Sequence, residues 1–177
     1  MNSISVEAVY QKNDRVNERL HTLIRSLDRG EIDRIPEDGK WTIANIVEHI
    51  AIVDTSMTRV CAKLLRKAEG DSKPGDGCIT SSDVFAEKTV EIANLKMEAP
   101  DMVQPSGERS IEESLELING NRQRLEELKP SFEKFDSNEY RFPHPFLGDL
   151  SAGEWLMLIG GHKARHIKQI ERQVGRK

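Results

Sequence analysis

Residues 151–173 read SAGEWLMLIGGHKARHIKQIERQ, and this stretch decides the fold. Ser151 and Glu154 have the spacing of a capping box, in which the serine hydroxyl accepts from a first-turn amide and the glutamate reaches back to the serine N–H. Behind it Trp155, Ile159, His162, His166, Ile170 and Val174 recur at three- and four-residue intervals, which is one face of an α-helix. A helix with one apolar stripe must bury it against another element, so its partners have to come from the rest of the chain.

Three further stripes supply them. Ser110 and Glu113 form a second capping box ahead of Ile111, Leu115, Ile118, Leu125 and Leu128, a helix predicted to stop near Pro130. Trp41-Thr42 opens a run carrying Ile46, His49, Ile50, Val53, Met57, Val60 and Leu64, which ends at Gly70 before the loop-forming DSKPGDG. A first helix is predicted from about Ile4 to Asp28 on Val9, Val16, Leu20, Leu23, Ile24 and Leu27. It ends before Arg29-Gly30, with a second break at Pro36-Glu37-Asp38-Gly39.

Between Ser81 and Lys96 the periodicity is weak and predicts only a short helix. Phe132 to Gly148 is aromatic and proline-containing, too irregular for a helix, and is expected to pack across one end of the others. No repeat or interdomain linker interrupts residues 1–177, so the reading is one domain, an all-α four-helix bundle with long crossover connections.

Composition agrees with this class and narrows the function. The chain is 37% hydrophobic and 32% charged but only 5% aromatic, the balance of amphipathic helices and not of sheets. A net charge of −4 gives no excess of cations to neutralise phosphates, and the basic C-terminal run is accounted for by the favourable placement of cations at a helix C-terminus. Nucleic acid is therefore not an expected partner. Cys61 and Cys78 form no CxxC or disulfide framework, and no apolar leader or membrane-length stretch is present, so a cytoplasmic protein is expected. Cys61 reads as a buried small hydrophobe, with no sequence partner to activate it.

The histidines carry the functional signal. A lone histidine in an apolar stripe is ordinarily a core residue, but His162 and His166 stand at i and i+4, with Cβ atoms roughly 5–6 Å apart on one helix face. His49 lies in the stripe of another helix. Burying three imidazoles together leaves several nitrogens to satisfy, whereas one divalent cation takes a lone pair from each. The Lys163 of HKARH stands where a zinc protease of the HExxH type carries its general-base glutamate, which disfavours that class. Glu48, Asp54 and Gln169 could reach the histidines from behind, although their helical positions read first as solvated surface. His21 and His144 are not assigned to the site. Gly160-Gly161 is costly inside a helix, about 1 kcal/mol each. Either the pair opens space beside a metal or a neighbouring helix packs closely there.

The Glu48-His49-Ile50 run after a tryptophan resembles the DinB-like (DinB/YfiT) superfamily, as does the terminal pattern from Gly148 through Leu150-Ser151, Glu154-Trp155, His162, His166 and Gln169. The resemblance implies a four-helix bundle with a metal site at His49, His162 and His166, holding one divalent transition metal such as Zn, Ni or Fe. It further implies a metal-dependent enzyme of small molecules. Thiol-dependent S-transfer, with bacillithiol, mycothiol or glutathione as cofactor, is preferred slightly over hydrolysis. The alternatives are a non-catalytic metal-binding stress-response protein and a helical interaction protein. A homodimer is also an expectation of the resemblance.

Overall fold

Each long apolar stripe becomes a helix in the computed structural model, which describes residues 2–37, 39, 41–93 and 98–175. The order is β1 (Asn2–Ser5), α1 (Val6–Arg25), α2 (Arg29–Asp33), α3 (Ile43–Gly70), β2 (Cys78–Ser81), α4 (Asp83–Ala93), a 3-10 turn (Asp101–Val103), α5 (Ile111–Lys134), β3 (Arg141–His144), β4 (Gly148–Ser151) and α6 (Ala152–Gln173). The four long helices, α1, α3, α5 and α6, form the bundle.

Side-chain pairs give the directions. Asn13 meets the Leu156 carbonyl and Arg19 meets Glu171, so α1 and α6 run parallel. His49 faces His162 while Cys61 approaches Ala152, so α3 and α6 are antiparallel. Tyr10 reaches Leu125 and His21 reaches Asn119, which makes α5 antiparallel to α1. Helices α3 and α5 are thus parallel neighbours, and the long segment between them is the crossover that parallel helices require.

Both capping boxes form as the sequence predicts: Ser110 and Glu113 exchange bonds of 3.1 and 2.8 Å, Ser151 and Glu154 bonds of 3.2 and 3.0 Å. Thr42 and Asn45 form another at the start of α3. Four expectations need correction. Helix α1 begins at Val6, because residues 2–5 are drawn into an antiparallel pair with β2. Arg29-Gly30, read as a turn, opens the short α2, capped by Asp28 and Glu31. Helix α5 runs through Pro130 to Lys134. Pro130 is on the exposed side and Phe132 is 1% exposed in the core, so burial beyond the proline outweighs the lost helical bond. The short helix expected over Ser81–Lys96 is α4, and residues 94–97 of that expectation lie outside the described residues, as do Asp38 of the predicted break and the end of the basic tail.

The fourth correction concerns residues 132–148, which are not irregular throughout: β3 and β4 pair as a hairpin, Arg141 opposite Ser151 and His144 opposite Gly148. The hairpin is pinned by His144, whose ring packs 5.2 Å from Trp155 and whose Nδ1 accepts from the amides of Phe146 and Leu147 at 3.2 Å each. Burial lowers the His144 pKa to about 4. A histidine held neutral in the fold contributes stability that is complete above its unfolded pKa, about 6.5, and is lost as pH falls from there toward the folded value. A proton on Nδ1 also removes the acceptor of the turn. The expected result is an NMR titration midpoint for His144 near the depressed value, with hairpin amides losing exchange protection over the same acidic range; a midpoint near 6.5 would contradict it.

The core is divided. Leu20, Ile24, Ile43, Ile46, Ile50, Ile118, Ile167 and Ile170 form one apolar cluster, and Val9, Tyr10, Met57, Leu65, Phe132, Trp155, Leu156 and Ile159 belong to the other. Between them lie the buried polar residues Asn13, Asn17, Asp54, Asn121 and Lys163. The histidines sit beside this layer. Among the described residues no helix is long and apolar enough to cross a membrane.

Candidate metal centre

Lys163 is the anchor of the polar layer. It is 2% exposed, donates to Asp54 Oδ2 at 2.8 Å and also bonds Asn17 Oδ1, tying α6 to both α3 and α1. Burial pushes the Asp54 carboxyl upward and the Lys163 charge opposes that shift. Asp54 and Glu48 are therefore not solvated surface groups; both are 2% exposed. The signal was present in the spacing. Asn13 and Asn17 interrupt the α1 stripe between Val9 and Leu20, and Lys163 stands four residues from both Ile159 and Ile167.

The glycine pair splits between the two readings. A Cβ on Gly160 would lie 2.0 Å from Asn13 Oδ1, whereas one on Gly161 would meet nothing within 4 Å. Gly160 is thus a close-packing site for α1, and Gly161 is exposed. For Gly160→Ala, Asn13 must turn away and give up its 3.0 Å bond to the Leu156 carbonyl. Urea denaturation should show a loss of about 1–3 kcal/mol despite the better helix propensity of alanine. Gly161→Ala should gain about 0.5–1 kcal/mol. Equal effects at the two positions would refute this account.

On the other side of α6, His49 Nε2 and His166 Nε2 each lie 3.2 Å from His162 Nε2. The facing nitrogens of all three rings fall within 4.8 Å of one another, and among the described residues no carboxylate or thiol joins them. Helix α3 contributes His49, and α6 contributes the i,i+4 pair. His49 and His166 are buried and His162 is half-buried. The Trp41 ring packs 4.9 Å from that of His49.

The outer nitrogens determine the tautomers. His49 Nδ1 is 2.8 Å from the Val103 carbonyl, which only accepts, so Nδ1 carries the proton. His166 Nδ1 is 2.8 Å from Gln169 Oε1, the amide oxygen in the assigned orientation, and is likewise the donor. In the neutral rings both Nε2 atoms are then bare lone pairs aimed at His162 Nε2. A proton on His162 could serve one of them, while among the described residues His162 Nδ1 has no hydrogen-bond partner. A cation satisfies all three. Donors 3.2 Å apart, each at about 2.0–2.1 Å from one ion, subtend about 100° at it, between the octahedral and tetrahedral angles.

Electrostatics keeps the lone pairs available. Burial lowers the pKa of all three imidazoles and Arg165 adds to the effect at each; neighbouring histidines lower His162 and His166 further, and His166 comes to about 3. At neutral pH none carries the second proton that would block coordination. Sequence reading grouped His49, His162 and His166 but took Gln169 first as a solvated surface residue; the structure brings the three rings together and sets Gln169 Oε1 on His166 Nδ1. It missed the Val103 carbonyl, which no side-chain pattern reveals. His21 binds Asn119 on α5 and His144 belongs to the hairpin. Cys61 is fully buried, and burial raises its thiol pKa, so it is inert.

With this geometry in view, comparison with known proteins is decisive for the family. The DinB superfamily model matches residues 12–170. The chain belongs to the DinB superfamily. The uncharacterized protein YuaE of Bacillus subtilis (strain 168) is 23% identical over 155 residues, which cover 84% of this chain and 86% of YuaE. The crystal structure of TT2238, a four-helix bundle protein, superposes with a TM-score of 0.65 at 24% identity, covering 95% of this chain and 99% of TT2238. That likeness establishes the four-helix bundle for this DinB-superfamily chain. Neither relative's description assigns an activity.

Proposed function

We propose that His49, His162 and His166 hold one divalent transition metal ion and that the protein is a metal-dependent enzyme acting on small molecules. The observation that carries the metal assignment is the convergence of Nε2 atoms, two of them stripped of protons by the Val103 carbonyl and Gln169. Three neutral protein ligands leave coordination positions open, the pattern of catalytic sites and not of closed structural ones. Bound there, the ion supplies Lewis-acid chemistry, activating water for hydrolysis or a thiol for transfer.

Between these, the chain's own acids favour thiol transfer. Glu48 and Asp54, the carboxylates nearest the histidines along α3, are committed elsewhere, Glu48 to the amides of Ser106 and Gly107 and Asp54 to Lys163. Neither is placed to take a proton from a nucleophilic water. A low-molecular-weight thiol, with an ordinary pKa of about 8.5 against about 15.7 for water, gives up its proton to solvent far more readily and so depends less on a protein base.

Elemental analysis of protein purified without an affinity tag or chelator, beside His162→Ala, tests the metal assignment. About one equivalent of transition metal, lost in the variant, is expected. No metal in the native protein and no uptake on titration at neutral pH would return the histidines to the core. With metal established, turnover of an electrophile only in the presence of a thiol supports transfer, and ester hydrolysis without thiol supports the other chemistry.

A further inference from the structure

We propose that Glu48 is a positioning residue for the histidine cluster: it clamps the loop 103–107 so that the Val103 carbonyl stays on His49 Nδ1 and the His49 Nε2 lone pair faces the centre. The last step of this inference rests on the metal reading above; the clamp itself does not.

The clamp has two jaws on adjacent residues of α3. Glu48 Oε1 accepts from the Ser106 amide at 3.0 Å and the Ser106 hydroxyl at 2.7 Å, and Oε2 accepts from the Gly107 amide at 2.9 Å. Three residues upstream of Ser106, the Val103 carbonyl takes the His49 Nδ1 proton at 2.8 Å. The loop is thus held at both ends of a five-residue span that passes the imidazole. Gly107 adopts φ +75°, a left-handed conformation that suits glycine, as its amide turns to the carboxylate.

Only a carboxylate suits this place. It is acceptor-only, and two oxygens receive three donors. Glutamine in the same rotamer would set an NH2 against a backbone N–H and release one end of the loop. Were the loop to lift, His49 would lose the acceptor that selects its tautomer. Either nitrogen could then carry the proton, and Nε2–H cannot bind a metal. Partners that orient a metal-binding histidine in this way typically contribute about 10–100-fold in affinity.

Glu154 supplies the internal control. It too is a buried carboxylate accepting from Ser82 N and Oγ, Ser151 N and Arg141, but it stands eight residues before His162 and ties α6 to the junction of β2 and α4 and to the hairpin. The experiment compares wild type, Glu48→Gln, Glu154→Gln and the milder Ser106→Ala. Two quantities are read: the His49 tautomer by imidazole 15N NMR in metal-free protein, and zinc affinity by competition with a chromophoric chelator. Wild type should show His49 as Nδ1–H. Glu48→Gln should show mixed tautomers and at least about 10-fold weaker zinc binding, with Ser106→Ala between. Glu154→Gln should lose stability while changing neither. If Glu48→Gln does not fold, Ser106→Ala decides. An unchanged His49 tautomer and zinc affinity in the Glu48 or Ser106 variant would overturn the proposal. A tautomer that shifts in a protein whose wild type takes up no zinc would uphold the clamp and reject the metal reading alone.

Discussion

Replacing Lys163 by methionine is expected to lower the free energy of unfolding by about 3–5 kcal/mol, because it strands Asp54 inside the bundle. The two groups are each 2% exposed and meet at 2.8 Å, so water cannot replace the lost ammonium. The stranded carboxyl must stay charged without a partner or take a proton. Its folded pKa in the variant then lies above the unfolded value of about 3.9, so the variant's stability falls as pH rises from there through the folded pKa. The deficit against wild type should be largest at neutral pH and shrink toward pH 4. Removing both charges in Asp54→Leu with Lys163→Met should recover most of the loss, since an apolar pair has no charge to desolvate. Urea denaturation of the single and double variants at two pH values gives the measurement. Additive losses with no pH dependence would mean that the pair is not the coupled unit the structure shows.

The second large effect is stabilisation by metal. An ion that binds the folded chain at about 1,000 times its dissociation constant adds about 4 kcal/mol. For a chain of this size that corresponds to a rise in melting temperature of about 8–16 °C. His166→Ala, which deletes a ligand whose lone pair is oriented by Gln169, should abolish the rise. Because burial holds the three imidazoles below their ordinary pKa, protons should compete with the metal only well below pH 6.5, unlike at an exposed histidine cluster. Calorimetry with and without zinc at several pH values reads both quantities. No shift in wild type, or the same shift in His166→Ala, would count against the site. A large shift in a protein that turns over neither thiol-dependent nor hydrolytic substrates would favour an ion that mainly staples α3 to α6.

The sequence by itself determined the four amphipathic helices, their capping boxes at Ser110 and Ser151, and the i,i+4 geometry of His162 and His166. These are local properties: helical period, hydrogen bonds within one turn and the spacing of side chains on one face depend on neighbours in the chain. Asn13, Asn17 and Lys163 were legible in principle, as polar residues at core positions of otherwise apolar stripes. What only the tertiary structure decided is everything that needs a second element. Burial of Phe132 carries α5 past Pro130, and pairing with the strand of Ile79 takes Ile4 and Ser5 out of the predicted first helix. Gly160 makes room for Asn13, and the Val103 carbonyl selects the His49 tautomer. Each of those depends on which atoms a distant segment delivers. A backbone carbonyl looks the same in every residue, so its role could be read only once the fold had placed it against an imidazole.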